Sequence, residues 1–197
     1  MSELGAPLPS PSPSPEMMRR LAHRRSAPAQ ALTAPGPTPD EIQTLLTLGA
    51  RTPDHGKLFP GRFVVMGPDS RAGIAEQLRG IAVANGLPDK ARAVLAKLVN
   101  PPLTILVIST PIVASKPVWE QQLSAGAVCM NLEHAAAALG FGACWITDWY
   151  SYEPQAVRLF GVREGEAIAG FIHIGTLTEV PLERPRPDVA GLTTILP

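Results

Sequence analysis

Residues 118–139 constrain the fold more than any other part of this sequence, because they form a long stretch of residues that are mostly apolar or small. Small and apolar residues occur almost all round the predicted helix, including the run from Ala135 to Ala138. A helix without a clear polar face has to be buried, either in a core or against another subunit. Gly140 supplies its stop. We therefore expect this helix to lie inside the domain or at a subunit interface.

Four short segments carry the apolar, β-branched and aromatic residues that are typical of strands, at residues 62–66, 103–108, 142–147 and 167–176. The continuously apolar segment 103–108 indicates a central strand covered on both faces. Further helices are predicted at residues 16–22, 38–50, 69–85, 89–99 and 153–160. Since some gaps between strands hold two helices and others hold one, we predict an α+β fold with a mixed central β-sheet.

The predicted helix 38–50 begins at a capping box. Thr38 is the N-cap, Pro39 occupies the first helical position, and Glu41 follows three residues after the Thr. The helix places Arg51 at its C-terminal end, where the helix dipole favours a cation. A helix-ending charge is therefore one interpretation of Arg51, and a ligand contact is the other.

The chain has 197 residues, of which 45% are apolar, enough for the core of one domain at residues 16–197. The first 15 residues carry Pro at positions 7, 9, 11, 13 and 15, alternating mostly with Ser, so we expect a disordered, partly polyproline tail and not a secretion signal. Residues 181–197 form a Pro- and Arg-rich C-terminal arm. Its last part, residues 192–196, is predicted to be an edge strand that could pair with another chain's sheet.

The charge distribution argues against two classes of partner. The formal net charge is zero and no block of like charges occurs, so neither nucleic acid nor an anionic membrane is expected to bind. No apolar run in the sequence reaches the roughly 20 residues that a membrane span needs.

The two cysteines, Cys129 and Cys144, each lie in an apolar segment and not in a metal-binding or redox motif. This pattern predicts buried, reduced thiols in a cytoplasmic protein and argues against a disulfide framework or a zinc site. His134 lies in the long helix and His173 in the last strand. We interpret both as satisfied core histidines and expect no metal.

A hydrolytic triad has little support in this sequence. Its candidate members would be Ser26, His23, His55 and Asp54. The chain lacks the Gly-x-Ser-x-Gly elbow that exposes a nucleophilic serine, and no other nucleophile stands in a comparable context.

Cations and hydroxyl groups are instead concentrated in two short stretches. His23-Arg24-Arg25-Ser26 follows the first predicted helix and offers the compact array of donors that a phosphate monoester needs. Residues 49–57 form a second basic turn that contains Pro and Gly, one helix further on. Each stretch alone is also typical of a solvated basic turn, but the two together bracket one helix.

Several motifs occur in an order and spacing that resemble one known family. They are Arg24-Arg25-Ser26, the turn Arg51-Thr52-Pro53-Asp54-His55 with Pro60 and Phe63 after it, Trp119-Glu120-Gln121, and the segment 140–147. From about residue 17 to its C-terminus, the chain resembles the nitroreductase family of FMN-dependent oxidoreductases, and in particular its small, minimal members. The resemblance implies a mixed sheet with helices on both faces. It also implies a homodimer with the long helix and FMN at the subunit interface.

The resemblance further implies a set of cofactor-binding residues. FMN brings its own electrophile, N5 of its ring, so no catalytic side chain is required of the protein. The implied FMN-binding residues are Arg24, Arg25 and Ser26 for the phosphate and ribityl groups, Arg184 and Arg186 for the phosphate, Arg51 and His55 from the second turn, and Trp145, Ile146 and Thr147 beside N5.

Two positions depart from the family pattern. Ile146 stands where the most similar branch has an Arg, so it can contact a cofactor only through its backbone or its apolar side chain. Gly61 replaces an aromatic residue between Pro60 and Phe63, which we expect to widen or soften that wall. Both changes bear on the substrate preference.

The implied activity is the reduction of nitroaromatic, quinone or similar conjugated acceptors, with NADH or NADPH as a transient hydride donor and ping-pong kinetics. The segment Gly140-Phe141-Gly142 is no dinucleotide-binding motif, because it follows a helix and does not open one. Two alternatives stay open. The chain could be a specialised flavin enzyme that reacts with oxygen or a dehalogenation substrate, or a flavin-binding protein without useful turnover.

Overall fold

The computed structural model describes residues 3–113 and 116–196. The chain forms two compact units: residues 3–25 with 183–196, and Ser26–Leu182. The first unit contains α1 (Pro15–His23) and a 3₁₀ helix at Ala190–Leu192. The second contains helices α2 (Pro39–Gly49), α3 (Pro68–Ala84), α4 (Asp89–Ala93), α5 (Ala96–Val99), α6 (Val118–Ala138) and α7 (Pro154–Leu159), and 3₁₀ helices at Ala29–Ala31 and Trp149–Ser151. Its strands are β1 (Leu32–Thr33), β2 (Gly61–Met66), β3 (Leu103–Ser109), β4 (Gly142–Ile146) and β5 (Ala167–Leu177).

The sheet has the strand order β1-β5-β3-β2, and β4 also pairs with β5. Every pairing among the described strands is antiparallel, so the prediction of a mixed sheet was wrong. Strands β3 and β4, which the single helix α6 connects, do run in the same direction. Residues 171–174 of β5 pair with both of them, so β5 lies between them and separates the two parallel strands.

Helices cover both faces of the sheet, as predicted. All seven residues of β3 are buried, which confirms it as a central strand. Its side chains at 103, 105 and 107 pack with residues of α2 and α6 on one face. Those at 106 and 108 pack with residues of α3, α5 and α7 on the other. Both cysteines are buried and free, as expected.

The long helix α6 is half in the core and half on the surface. Its inward side carries apolar residues such as Cys129 and Leu132, and the buried polar residues Ser124 and Glu133. On the outward side, Trp119 and Leu123 are exposed. The helix therefore leaves large apolar side chains on the surface of the single chain.

Several helix ends follow from the local sequence. The capping box of α2 is confirmed, because Thr38 Oγ1 accepts from the Glu41 N–H at 3.3 Å and Glu41 Oε2 accepts from the Thr38 N–H at 2.8 Å. Gly140 follows α6 with φ = +89°, a conformation that favours glycine. The predicted helix 89–99 is instead two short helices, α4 and α5. The N–H groups of Leu95 and Lys97 bond to carbonyls three residues back, which interrupts the α-helical ladder.

In the first unit, α1 begins where Ser14 Oγ accepts from the Met17 N–H at 3.3 Å, and none of its side chains is buried. Residues 6–14 form neither helix nor strand and are exposed. The strand predicted at residues 192–196 is absent: Leu192 ends a 3₁₀ helix, and residues 193–196 form neither helix nor strand. No helix in the described ranges is long and apolar enough to cross a membrane.

Candidate functional site

The first unit brings together the two arginine pairs that the sequence singled out. Arg186 Nη2 donates to the backbone oxygen of Arg24 at 2.9 Å, and Arg186 Nε donates to Glu183 Oε1 at 3.0 Å. The pKa of Glu183 is lowered, first by the Arg184 N–H that donates to it, then by Arg186, with a smaller contribution from Arg25. The Arg186 guanidinium and the Arg184 N–H thus hold the Glu183 carboxylate, and Arg186 also joins this arm to the backbone of Arg24.

In the second unit, a buried carboxylate connects Ser26 to β4. Glu133 on α6 is only 6% exposed. Its Oε1 accepts from Ser26 Oγ at 2.9 Å and from the Trp145 backbone N–H at 3.0 Å. Because the Ser26 hydroxyl hydrogen is donated to Glu133, Ser26 does not donate that hydrogen to a ligand in this geometry.

The indole ring of Trp145 lies over a strand position that has no side chain. Its Nε1 donates to the Ala169 carbonyl at 3.1 Å. A Cβ atom added at Gly170 would come within 2.0 Å of that nitrogen, and one added at Gly126 would lie 3.7 Å from the far end of the ring. The two glycines therefore define the space in which the ring sits.

The two residues after Trp145 have different surroundings. Ile146 packs against a small apolar cluster that contains Leu32 and Cys144, so its side chain belongs to the core at this end of the sheet. The Thr147 hydroxyl lies 2.9 Å from the Tyr152 hydroxyl, within hydrogen-bonding distance.

The second turn is held by residues of α6 on the side of the helix opposite to Glu133. Asn131 Nδ2 donates to Thr52 Oγ1 at 2.9 Å, and Ser124 Oγ donates to the Pro53 carbonyl at 2.9 Å. His55 Nδ1 lies 2.5 Å from Glu120 Oε2 in the first turn of α6, and both side chains are about half exposed. Arg51 follows the C-terminal end of α2, as predicted, and is exposed.

A strained loop continues this turn. Lys57 has φ = +56° and Phe59 has φ = +50°, values that are uncommon for residues other than glycine. The Asp54 carboxylate accepts from the Leu58 N–H at 2.7 Å and from the Phe59 N–H at 3.4 Å. These two bonds hold the loop in shape.

A cleft lies between the second turn, the start of β2 and α6, with a volume of about 450 Å³ that includes space open to solvent. We call it the Gly61 cleft. Its lining residues are Ala50, Thr52, Asp54, Phe59, Pro60, Gly61, Arg62, Phe63, Val107, Ser124, Ala125 and Val128. The departure of Gly61 from the family pattern therefore lies in the wall of a cavity, as the sequence led us to expect.

The two sets of contacts lie on opposite sides of α6. Ser124 and Asn131, which hold the second turn, are about two helical turns apart and share one side. Gly126 and Glu133, which face Trp145, lie about 200° further round the helix. Between the two sides runs a stripe that faces away from the core, and we call it the α6 stripe. It consists of Trp119, Leu123, Ala127, Met130 and His134, all exposed or partly exposed.

The comparison with known proteins decides the family. The sequence profile described as Nitroreductase family matches residues 21–176. The chain is 34% identical to the provisionally named NAD(P)H nitroreductase YdjA of Escherichia coli K12 over 166 residues, which cover 82% of this chain and 88% of YdjA. The chain belongs to the nitroreductase family. It is therefore an oxidoreductase of the nitroreductase type, as the motifs predicted.

Solved structures of this family share the fold. The nitroreductase-like protein of Bacillus cereus superposes with a TM-score of 0.77 at 20% identity, covering 95% of this chain and 99% of the other. A provisionally assigned nitroreductase of Desulfovibrio desulfuricans, solved in complex with FMN, gives a TM-score of 0.73 at 20% identity, covering 94% and 99%. The α+β class is thus confirmed as that of the nitroreductases.

The sequence did not single out three residues that hold the nitroreductase motifs in place. Glu133, Ser124 and Asn131 all lie on α6 and bond to the two turns. The acidic Glu133 within a largely apolar helix does indicate a buried charge, but it does not indicate which group bonds to that charge. Its partner Ser26 is 107 residues away in the chain, so no local pattern could indicate it.

The four residues of the hydrolytic alternative have separate partners. Ser26 bonds to Glu133, His55 to Glu120, and Asp54 to the loop that follows it. His23 Nδ1 lies 2.8 Å from the Arg19 carbonyl within α1. These contacts give no support to a triad.

Proposed function

We propose that this nitroreductase is an FMN-dependent NAD(P)H oxidoreductase that reduces nitroaromatic, quinone or similar conjugated acceptors. The observation that carries the proposal is the gathering of the two arginine pairs in the first unit, where Arg186 bonds to the backbone of Arg24. The contact brings together two stretches that carry four arginines, Arg24, Arg25, Arg184 and Arg186. Such a concentration of cations fits the dianion of a phosphate monoester. Bound FMN would supply the electrophilic N5 position that takes up hydride.

Different residues of the chain would bind different parts of FMN. In this proposal Arg24, Arg25, Arg184 and Arg186 bind the phosphate. Ser26, which its bond to Glu133 holds in place, lies against the ribityl group. Trp145, Ile146 and Thr147 contact the ring beside N5, with Ile146 acting through its backbone since its side chain packs in the core.

NADH or NADPH would donate hydride and leave before the acceptor enters the same place. This order gives ping-pong kinetics. Such a mechanism requires no separate dinucleotide-binding domain. The sequence agrees with this, because it lacks the Gly-rich motif of such domains.

We also propose that the active form is a homodimer with FMN at the subunit interface. We call the side of α6 that bonds to Ser26 the Ser26 side, and the side that bonds to Thr52 the Thr52 side. The two sides point in opposite directions, so within one chain the turn that carries Arg51 and His55 lies across the helix from Ser26. The α6 stripe between them exposes Trp119 and Leu123. A second copy packed on this stripe would bury its apolar surface and bring the partner's second turn to the Ser26 side.

The visible spectrum of the purified protein tests the cofactor. Flavin bands near 370 and 450 nm are expected, which are approximate properties of any oxidised flavin. Consumption of NADH or NADPH with nitrofurazone or menadione should follow. Flavin bands without such turnover would favour a flavin-binding protein, and a protein without flavin affinity would contradict the proposal.

Arg24→Ala tests the phosphate site. A charge-assisted hydrogen bond contributes about 1.5 to 3 kcal/mol, so FMN affinity should fall about 10- to 100-fold while the melting temperature changes little. Arg20→Ala is the matched control, because Arg20 lies in the same unit and pairs with Glu16 in α1. Wild-type FMN affinity in Arg24→Ala would remove this motif from the site.

Truncation after Leu182 tests the shared site, since it removes the C-terminal arm with Arg184 and Arg186. Light scattering and flavin fluorescence should show loss of dimer and of FMN together. The double variant Arg184→Ala/Arg186→Ala keeps the arm and should lose FMN affinity alone. A truncated monomer that still binds FMN tightly would contradict a site at the subunit interface.

A further inference from the structure

The polar side chains that line the Gly61 cleft already have partners inside the protein. Four of its lining residues are polar: Thr52, Asp54, Arg62 and Ser124. Thr52 Oγ1 donates to the Gly49 carbonyl at 3.0 Å and accepts from Asn131, and Ser124 Oγ donates to Pro53. Asp54 accepts from two backbone N–H groups of the following loop.

The one cation in the wall is neutralised. Arg62 Nε donates to Glu166 Oε1 at 3.0 Å and Arg62 Nη2 donates to Glu166 Oε2 at 2.6 Å, which is a bidentate ion pair. Arg62 Nη2 also donates to the Gly161 carbonyl at 2.6 Å. The cleft therefore offers a charged ligand no unpaired counter-charge among the described lining residues, and burying an unpaired ion there would be costly.

The cleft is open because Gly61 has no side chain. A Cβ atom at this position would meet only the Ile108 carbonyl oxygen, at 3.6 Å, which is ordinary contact. Gly61 has no positive φ, so the backbone does not require glycine here. An aromatic side chain in its place would grow into the cleft, and the absence of one leaves that volume to a ligand.

The mouth of the cleft carries an exposed aromatic ring. Phe59 is 77% exposed although it lines the cleft, and its strained backbone is held by Asp54. Phe63 belongs to the same wall. Aromatic side chains attract flat conjugated rings through offset or edge-to-face contacts, so these walls suit a ligand of that shape.

We propose that the Gly61 cleft binds the ring of an uncharged, flat aromatic acceptor, and that Gly61 determines this preference. The proposal rests on the proposed function in one respect, that such a ligand is then reduced. Thr52 and Asp54 of the cleft belong to the same turn as Arg51 and His55, so a ligand held there borders the turn that is proposed to approach the flavin.

Binding to the oxidised protein without NAD(P)H tests the cleft directly. The probes are nitrobenzene and 4-nitrobenzoate, which share a ring and differ in charge. Ligand-observed NMR titration should show that the wild-type protein binds nitrobenzene about tenfold more tightly than 4-nitrobenzoate. Gly61→Trp should weaken nitrobenzene binding about tenfold and remove the discrimination, since the indole would occupy the cleft. Val65→Trp is the matched control, because Val65 is an exposed residue of the same strand outside the lining of the cleft, and this variant should bind both probes as the wild-type protein does.

Equal binding of the two probes by the wild-type protein would overturn the proposal, as would unchanged nitrobenzene binding in a folded Gly61→Trp variant. Should that variant fail to fold by circular dichroism, Val128→Phe fills the cleft from α6 and should have the same effect. The flavin bands report separately on the proposed function. A protein that binds nitrobenzene in the cleft but has no flavin affinity would contradict the function and leave the cleft site standing.

Discussion

Two opposite sides of α6 bond to other parts of the chain in different ways: one side bonds to Ser26 and the other to the second turn. On the Ser26 side, a buried carboxylate and a ring fitted over Gly170 leave little freedom. On the Thr52 side, the turn is held by hydroxyl and amide groups, carries two strained residues and borders an open cleft. The packed side is suited to keeping a cofactor contact constant, and the open side can vary in specificity without loss of the fold.

Removal of the Glu133 carboxylate should have the largest effect, because it tests whether the Ser26 side depends on a buried partner. Glu133→Ala leaves the Trp145 N–H and the Ser26 hydroxyl without their acceptor, which should lower the free energy of unfolding by about 3 kcal/mol. On the other side, Glu120→Ala removes a half-exposed pair with His55 and should cost less than about 1 kcal/mol. Urea unfolding of both variants measures the contrast, and equal losses would mean that the two sides do not differ.

A matched pair of glycine substitutions sharpens the same comparison at the level of packing. Gly170→Ala places a Cβ atom against the Trp145 ring and should destabilise the protein by about 1 to 3 kcal/mol. Gly61→Ala meets only ordinary contacts and should be close to neutral. Tryptophan fluorescence should shift in the first variant and not in the second. An unchanged spectrum and stability in Gly170→Ala would show that the ring is not confined.

A further prediction concerns pH and the wall of the cleft. The pKa of Glu166 is lowered to about 2, first by its hydrogen bond with Arg62. Because the folded value lies below the ordinary one, the pair stabilises the protein fully above about pH 4.5, and this contribution is lost as the pH falls towards 2. Glu166→Gln should therefore reduce the dependence of the melting temperature on pH between these two values. The contacts of His55 with Glu120 and of Ser26 with Glu133 should not change. A wild-type acid profile in the variant would contradict the assigned role of the pair.

The histidines show how far burial can be inferred from a sequence pattern. His173 is fully buried, as predicted, and its Nδ1 lies 2.8 Å from Thr104 Oγ1, but its Nε2 has no hydrogen-bond partner in the described part of the chain. Burial, with smaller contributions from Arg71 and Lys97, lowers the pKa of His173 to about 3. His134 is only partly buried and lies on the α6 stripe, so its interpretation as a core residue was wrong. An apolar neighbourhood in sequence does not tell which side of a helix faces the core.

Strand directions were harder to infer than strand positions. The segments of β2, β3, β4 and β5 were recognised from composition, whereas the two-residue strand β1 was missed because so short a run has no periodicity. The helices in each gap do not determine which strands become neighbours. The last strand of the chain, β5, pairs with three others and makes the sheet antiparallel.

The sequence by itself determined the ends of most helices, the burial of the cysteines, the order of the two basic turns and, through that order, the family. These features depend on residues that are close together in the chain, such as Thr38 and Glu41. Only the tertiary structure decided which strands pair, which side of α6 holds each turn, and where Gly61 opens a cleft. Those features depend on contacts between distant residues, such as Ser26 with Glu133, which form only when the whole core packs.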